Sequence, residues 1–169
     1  MLGKDYQGQD CSLARSLEVI GERWTLLIVR DALYGVRRFN DFQAHLDIPK
    51  AMLSDRLNGL VEEGVLQRLP DPDHRARHLY ELTEAGKDLW PVVHALLVWG
   101  EHHRKGSRRS FLHADCGTPL DDGGSCPRCG LVPGPEDIIT EPRRRTGRRD
   151  PVALALSEPH RLLQPVPDR

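Results

Sequence analysis

Pro49-Lys50-Ala51-Met52-Leu53-Ser54-Asp55-Arg56-Leu57-Asn58-Gly59-Leu60-Val61-Glu62-Glu63-Gly64 is the stretch on which the fold turns. Leu53, Leu57, Leu60 and Val61 recur at helical spacing, which defines one buried stripe. Pro49 suits a first helical position and Gly64 a C-terminal stop. Just upstream, residues 39–46 form a shorter amphipathic segment with Phe39, Phe42 and Leu46 on one face. Asp47-Ile48 makes a tight turn between the two, and Ile48 plugs the gap. A helix, a short turn and a longer helix with an exposed polar flank is the pattern of a DNA-reading helix-turn-helix.

Downstream, Val65-Leu66-Gln67-Arg68-Leu69 reads as a strand, and Pro70-Asp71-Pro72-Asp73-His74-Arg75 is rich in turn formers. Arg77-His78-Leu79-Tyr80-Glu81-Leu82 reads as the returning strand. A hairpin with a basic tip directly behind the second helix is the order of a winged helix. Upstream, Ser12 is placed to cap a first helix in which Leu13, Leu17 and Ile20 share a face that ends near Gly21. In the next helix Trp24, Leu27, Ile28 and Leu33 face inward, and Tyr34-Gly35 ends it. Thr83 is placed to cap a last long helix with Ala85, Leu89, Val92, Val93, Leu96, Leu97 and Trp99 on a broad apolar face, bent at Pro91. So wide a face predicts a homodimer built on this helix and the first one. The alternative is that the face packs onto its own domain. A two-fold dimer presents two recognition helices roughly 34 Å apart, the spacing of successive major grooves.

The formal net charge is −1, so gross positive charge does not hold this chain to nucleic acid. DNA binding must rest on local clusters, and three exist: Arg37-Arg38, His74-Arg75-Ala76-Arg77 and the run at 143–149. Residues 1–10 are polar and lack an apolar signal core, and no run is long enough to cross a bilayer. This predicts a cytoplasmic, nucleoid-associated protein without membrane contact. In that compartment the four cysteines read as thiols or metal ligands rather than disulfides. No phosphate-binding glycine loop, nucleophile motif or hydrolytic metal pattern is present in the sequence, which argues against an enzyme.

The chain resembles the HxlR family of bacterial winged-helix transcription factors, a branch close to the MarR group, over residues 11–100. The likeness is carried by Cys11 at the start of the first helix, Ile20-Gly21-Glu22-Arg23-Trp24-Thr25-Leu26-Leu27-Ile28 and Arg37-Arg38-Phe39. It continues through Ile48-Pro49-Lys50-Ala51-Met52-Leu53-Ser54-Asp55-Arg56-Leu57 and Leu60-Val61-Glu62-Glu63-Gly64-Val65-Leu66. Arg77-His78-Leu79-Tyr80-Glu81-Leu82-Thr83-Glu84-Ala85-Gly86 closes it. The resemblance implies a dimer that binds a palindromic or repeated operator in double-stranded DNA and controls nearby genes. It also implies that Cys11 is a candidate redox sensor, because some members respond to electrophiles or oxidants through the matching cysteine. Arg15 one turn on and the helix N-terminus would both favour the thiolate. A small-molecule or oxidant effector follows as a candidate partner.

Helix geometry places Ala51, Met52, Asp55 and Asn58 opposite the Leu53, Leu57 and Leu60 stripe, flanked by Lys50, Ser54 and Arg56. Lys50, Ala51, Ser54 and Asp55 are expected nearest the base edges, with Arg56 on a base or phosphate. Asp55 has the alternative of pairing with Arg56 or Lys50. Arg37 and Arg38 precede the motif, and Arg38 is expected on backbone phosphate. His74, Arg75 and Arg77 in the wing are expected at the minor groove or its phosphates.

His113-Ala114-Asp115-Cys116-Gly117 is followed by Cys126-Pro127-Arg128-Cys129-Gly130. Two such turns supply four ligands suited to a closed tetrahedral zinc site: His113, Cys116, Cys126 and Cys129, with Asp115 or Cys11 as substitutes for the histidine. The expected organisation is an N-terminal arm (1–10), a winged helix-turn-helix and dimerisation domain (11–104), a zinc-ribbon-like segment (105–132) and a largely disordered Pro/Arg-rich tail (133–169). Within that tail, residues 152–156 form an apolar patch able to dock on the body. The fold class expected is mainly α with a small β-hairpin. The function expected is a dimeric repressor that reads a palindromic operator with recognition helix 49–63 and wing 70–78. The competing reading is a zinc-ribbon and winged-helix adaptor acting through protein contacts.

Overall fold

The computed structural model describes residues 6, 8–104, 109–143 and 147–167. Two helices, α1 (Ser12–Ile20) and α2 (Thr25–Leu33), precede the helix pair α3 (Phe39–Leu46) and α4 (Lys50–Glu62). Strands β1 (Leu66–Pro70) and β2 (His78–Leu82) pair antiparallel, with Leu66 opposite Leu82 and Pro70 opposite His78. A short α5 (Glu84–Lys87) and a longer α6 (Trp90–His103) complete the winged part.

Apolar periodicity located these elements well. Leu53, Leu57 and Leu60 of α4 are buried against Phe42, Leu46 and Ile48, which is the packing the stripe requires. α4 ends in a paired turn in which the Gly64 amide donates to the Val61 carbonyl (3.1 Å) and the Val65 amide to the Leu60 carbonyl (2.9 Å). Pro49 is the residue before the first helical turn rather than within it. Cys11, not Ser12, occupies the N-cap position of α1, and no side chain caps that helix.

Two expectations about the apolar faces need correction. Leu27 of α2, expected to face inward, is 39% exposed, while Leu13 and Leu17 are exposed on α1. The long helix foreseen after Thr83 is two helices: Thr83 Oγ1 accepts from the Gly86 amide (3.2 Å) to cap α5, and Pro91 lies in the first turn of α6. There its missing N–H costs nothing, so the chain breaks ahead of it instead of bending at it. Of the broad face, Val93 is buried, while Val92, Leu96 (49%) and Trp99 (51%) remain exposed.

The largest departure lies beyond residue 132. The presumed tail is built into the body. β3 (Arg109–His113), β4 (Ile138–Pro142) and β5 (His160–Arg161) form an antiparallel sheet in that order, and α7 (Pro151–Ala155) lies between the last two in sequence. Ile138, Val152, Leu156 and Leu162 are buried in the same cluster as Ile28, Leu33 and Phe42. Burying each such side chain contributes about 1.5–3 kcal/mol, which a disordered tail would forgo. Composition misled here because the few apolar residues sit at the right places, whereas prolines and arginines fill the rest. Of the basic run, Arg143 donates to Ser110 Oγ and Arg148 to the Ala44 carbonyl; residues 144–146 lie outside the described residues.

The C-terminal segment grips the helix-turn-helix from behind. The Leu163 amide donates to the Leu33 carbonyl (2.8 Å) and the Val166 amide to the Gly35 carbonyl (3.0 Å). Gly35 has φ +86°, and a Cβ there would lie 1.7 Å from the Gln164 carbonyl oxygen, so only glycine lets the two backbones approach. At α7, Asp150 accepts from the Ala153 amide (2.9 Å) and meets His45 Nδ1 of α3 (2.8 Å). Burial pushes the Asp150 carboxyl up, but the Ala153 amide and His45 outweigh it, and it rests below the usual carboxylate range. This contribution to stability is therefore present at neutral pH and fades as pH falls through that lowered value. Asp150→Ala loses the cap and the His45 contact, and thermal unfolding should register a loss of about 1–3 kcal/mol.

Candidate nucleic-acid interface and metal centre

On α4, Lys50, Ala51, Met52, Ser54, Asp55 and Asn58 are exposed, opposite the buried leucines. Arg56 is turned along the surface: its Nη2 meets Glu22 (3.1 Å) and its Nη1 meets Asp55 (3.5 Å). Asn58 Oδ1 accepts from Arg68 of β1 (2.5 Å), which ties α4 to the wing.

The two arginines ahead of the motif serve the wing's own architecture. Arg37 pairs with Glu81, and its backbone carbonyl accepts from the Tyr80 amide (2.8 Å). Arg38 reaches Asp71 and Asp73 (3.3 Å each) at the start of the wing loop. Asp71 is buried, which by itself would raise its carboxyl; the Asp73 amide and Arg38 prevail and hold it below the usual range. His74, Arg75 and Arg77 are exposed in that loop. Among the described residues neither Arg75 nor Arg77 is in an ion pair. Sequence reasoning missed Glu22, Asp71, Asp73 and Glu81 as partners, because no local pattern marks acids that lie 33 to 44 residues from their arginines.

His113, Cys116, Cys126 and Cys129 converge, with their ligand atoms all within 4.8 Å of one another. His113 Nδ1 lies 3.4 Å and Cys126 Sγ 3.5 Å from Cys116 Sγ. A zinc ion with sulfur ligands at about 2.3 Å has tetrahedral edges of about 3.8 Å, so the set has the size such an ion needs. Two backbone turns shape it. The Gly117 amide donates to the His113 carbonyl (2.8 Å) and the Gly130 amide to the Cys126 carbonyl (2.9 Å), both glycines at positive φ. His113 is delivered by the end of β3, and its Nε2 lies 3.8 Å from the exposed Asp115 carboxylate, which can orient the ring. Asp115 thus flanks the cluster, and Cys11 stands exposed at α1. The Thr118 hydroxyl and amide hold the Cys116 thiol down at about 6, while hydrogen bonding to Cys116 pushes Cys129 up to about 11. One thiol is thus already inclined to the anionic form that binds metal. The cluster can hold a metal ion.

A family model, the HxlR-like helix-turn-helix, matches residues 19–108. The chain is 40% identical over 144 residues to the HTH-type transcriptional regulator Rv3095 of Mycobacterium tuberculosis, which covers 83% of this chain and 90% of the relative. Among solved structures, the transcription factor PA1607 superposes with a TM-score of 0.64 at 33% identity, over 85% of this chain and 99% of its own. The redox regulator HypR in its oxidised form matches with a TM-score of 0.51 at 31% identity, over 57% of this chain and all of its own. With the fold, the family model and the relatives in agreement, the chain belongs to the HxlR-like helix-turn-helix family of transcriptional regulators and is not an enzyme.

Proposed function

We propose that the protein is a homodimeric repressor that reads a palindromic operator in double-stranded DNA. The observation that supports this most is the pairing of an exposed polar face on α4 with an adjacent wing whose Arg75 and Arg77 are exposed and lack ion-pair partners among the described residues. In this reading Lys50, Ala51, Ser54 and Asp55 meet base edges, and Asn58 and Arg68 keep helix and wing in register. Arg75 and Arg77, with His74, meet phosphate or the minor groove. Arg37, Arg38 and Arg56, held by acids, position the motif and reach phosphate only by exchanging partners. Binding to the promoter regions flanking its own gene, with unrelated DNA as competitor, tests the proposal. Selective, salt-sensitive binding is expected, and equal affinity for all DNA would overturn it. Arg77→Ala should weaken operator binding by about 1 kcal/mol and reduce the salt slope by about 1, with thermal stability unchanged.

The metal held by His113, Cys116, Cys126 and Cys129 is, in this reading, a structural zinc. Four protein ligands close the tetrahedron and leave no open position for catalysis. A redox role for Cys11 follows from the likeness to HypR, a redox regulator, and from its exposure at the head of α1. Arg15 is engaged with Glu18 (2.6 Å) and the carbonyls of Tyr6 and Gln9 (3.0 Å each). Oxidant should release operator from the wild-type protein and not from Cys11→Ser; equal release from both would sink the sensor reading.

A further inference from the structure

A cavity of about 540 Å³ opens where α2, α3, α6 and the C-terminal sheet meet α7. That volume is in the range of small-molecule sites, roughly 300–1,000 Å³. Its walls are largely apolar, with Trp24, Leu27, Leu46, Leu97, Phe111 and Leu156. Arginines line it as well. Arg30 is paired with the buried Asp31 (2.7 Å) and Arg148 with Asp150 (2.9 Å), while Arg104 lies over the Trp99 ring (5.2 Å).

Arg109 differs from these. Its Nε donates to Thr140 Oγ1 (2.8 Å) and its Nη1 to the Leu156 carbonyl (3.0 Å), both neutral acceptors. Its Nη2 is buried with no partner, and among the described residues no carboxylate pairs with it. Its guanidinium and that of Arg30 lie against the same Tyr34 ring, 5.5 and 5.8 Å from the centroid. Arginine does not surrender its proton, so a half-buried guanidinium with one enclosed, unused nitrogen is stabilised by an anion nearby. Glu101 also lines the cavity, so a single negative charge matches the balance better than several.

We propose that this cavity binds a small amphipathic monoanion, a carboxylate on a short apolar body, with the carboxylate against Arg109 and Arg30. The apolar body then lies along Trp24, Leu97 and Phe111. Arg109, Phe111 and Leu156 lie beyond the segment that matches the family model, so the site is shared between the winged part and the C-terminal module. It does not depend on how the protein meets DNA, and its test uses protein alone.

The probes are octanoate, octanol and octylamine at millimolar concentration, titrated into the full chain by calorimetry and by thermal unfolding. Octanoate should bind saturably and raise the melting temperature, and the other two should not. Arg109→Gln should weaken octanoate by roughly tenfold or more, the cost of losing a charge-assisted contact. Because Arg109 also braces the sheet, Gly100→Phe provides an independent variant. Gly100 lines the cavity, and nothing lies within 4 Å of a Cβ built there, so a side chain at this position starts into open space. It should block octanoate and leave the unliganded melting temperature at or above that of the wild type. Octanol binding as well as octanoate, unchanged affinity in both variants, or no octanoate binding to the wild type would each overturn the proposal. So would conversion of Gly100→Phe from dimer to monomer, which would make the cavity a seat for a second copy.

Discussion

Cys126→Ser is expected to strip the metal and lower the melting temperature of the whole protein by more than about 10 °C. Cys126 is fully buried and sits 3.5 Å from Cys116, so its loss leaves three ligands and an opened shell. A structural zinc contributes on the order of 10–16 kcal/mol in small peptides, comparable to the entire stability of an ordinary domain at about 5–15 kcal/mol. The damage should not stay local. The ligand turns adjoin β3, and β3 pairs with β4, whose Ile138 shares the core cluster with Ile28 and Phe42. At this chain length 1 kcal/mol corresponds to roughly 2–4 °C, so even a few kcal/mol passed into the shared core is visible by circular dichroism. Elemental analysis gives the second readout: one zinc per wild-type chain, and a fraction of that in the variant. A wild-type protein without zinc would refute the site.

In the proposed homodimer, Trp99→Glu should dissociate the subunits and with them operator binding. Trp99 is half exposed on α6, in company with Leu96 and Val92, while Leu13 and Leu17 protrude from α1. In the proposed homodimer these exposed apolar side chains on α6 and α1 supply the interface. An aromatic anchor at the centre of an interface is worth about 2–4 kcal/mol, and a carboxylate there adds desolvation without a partner. The dimer constant should rise by roughly 100-fold or more. Operator affinity should fall further still, because each half-site then binds alone. Sedimentation and fluorescence anisotropy on the same preparation separate the two effects. A variant that remains dimeric would remove α6 from the interface.

How much of this was legible in the sequence differs from one element to another. Leu53, Leu57 and Leu60, with Phe42 and Leu46, announced the helix pair because each helix repeats its apolar residue every three or four positions. The metal cluster was equally open, since two short ligand turns depend only on local spacing. Contacts with no local period stayed hidden. Nothing near Gly35 says that Gln164 will pass over it, and nothing near His45 says that Asp150 will meet it. Pro91 shows an intermediate case. It marked a disturbance correctly, but whether proline bends a helix or begins one depends on the preceding backbone, here the capped turn at Thr83. Arg38 and Arg56 show a third kind. Their positions suited phosphate contact, yet acids brought near by the fold engage them first.

The strap from Leu162 to Val166, threaded across Leu33 and Gly35, bears on how this protein can be dissected. Trimming the chain after residue 108 to isolate the segment that the family model matches would unroof Leu33, Val36 and Phe42 and leave the Leu33 and Gly35 carbonyls bare. Such a fragment would be sticky and only loosely folded, and its failure on DNA would say nothing about the intact molecule. Here the helix-turn-helix and its C-terminal brace share one core.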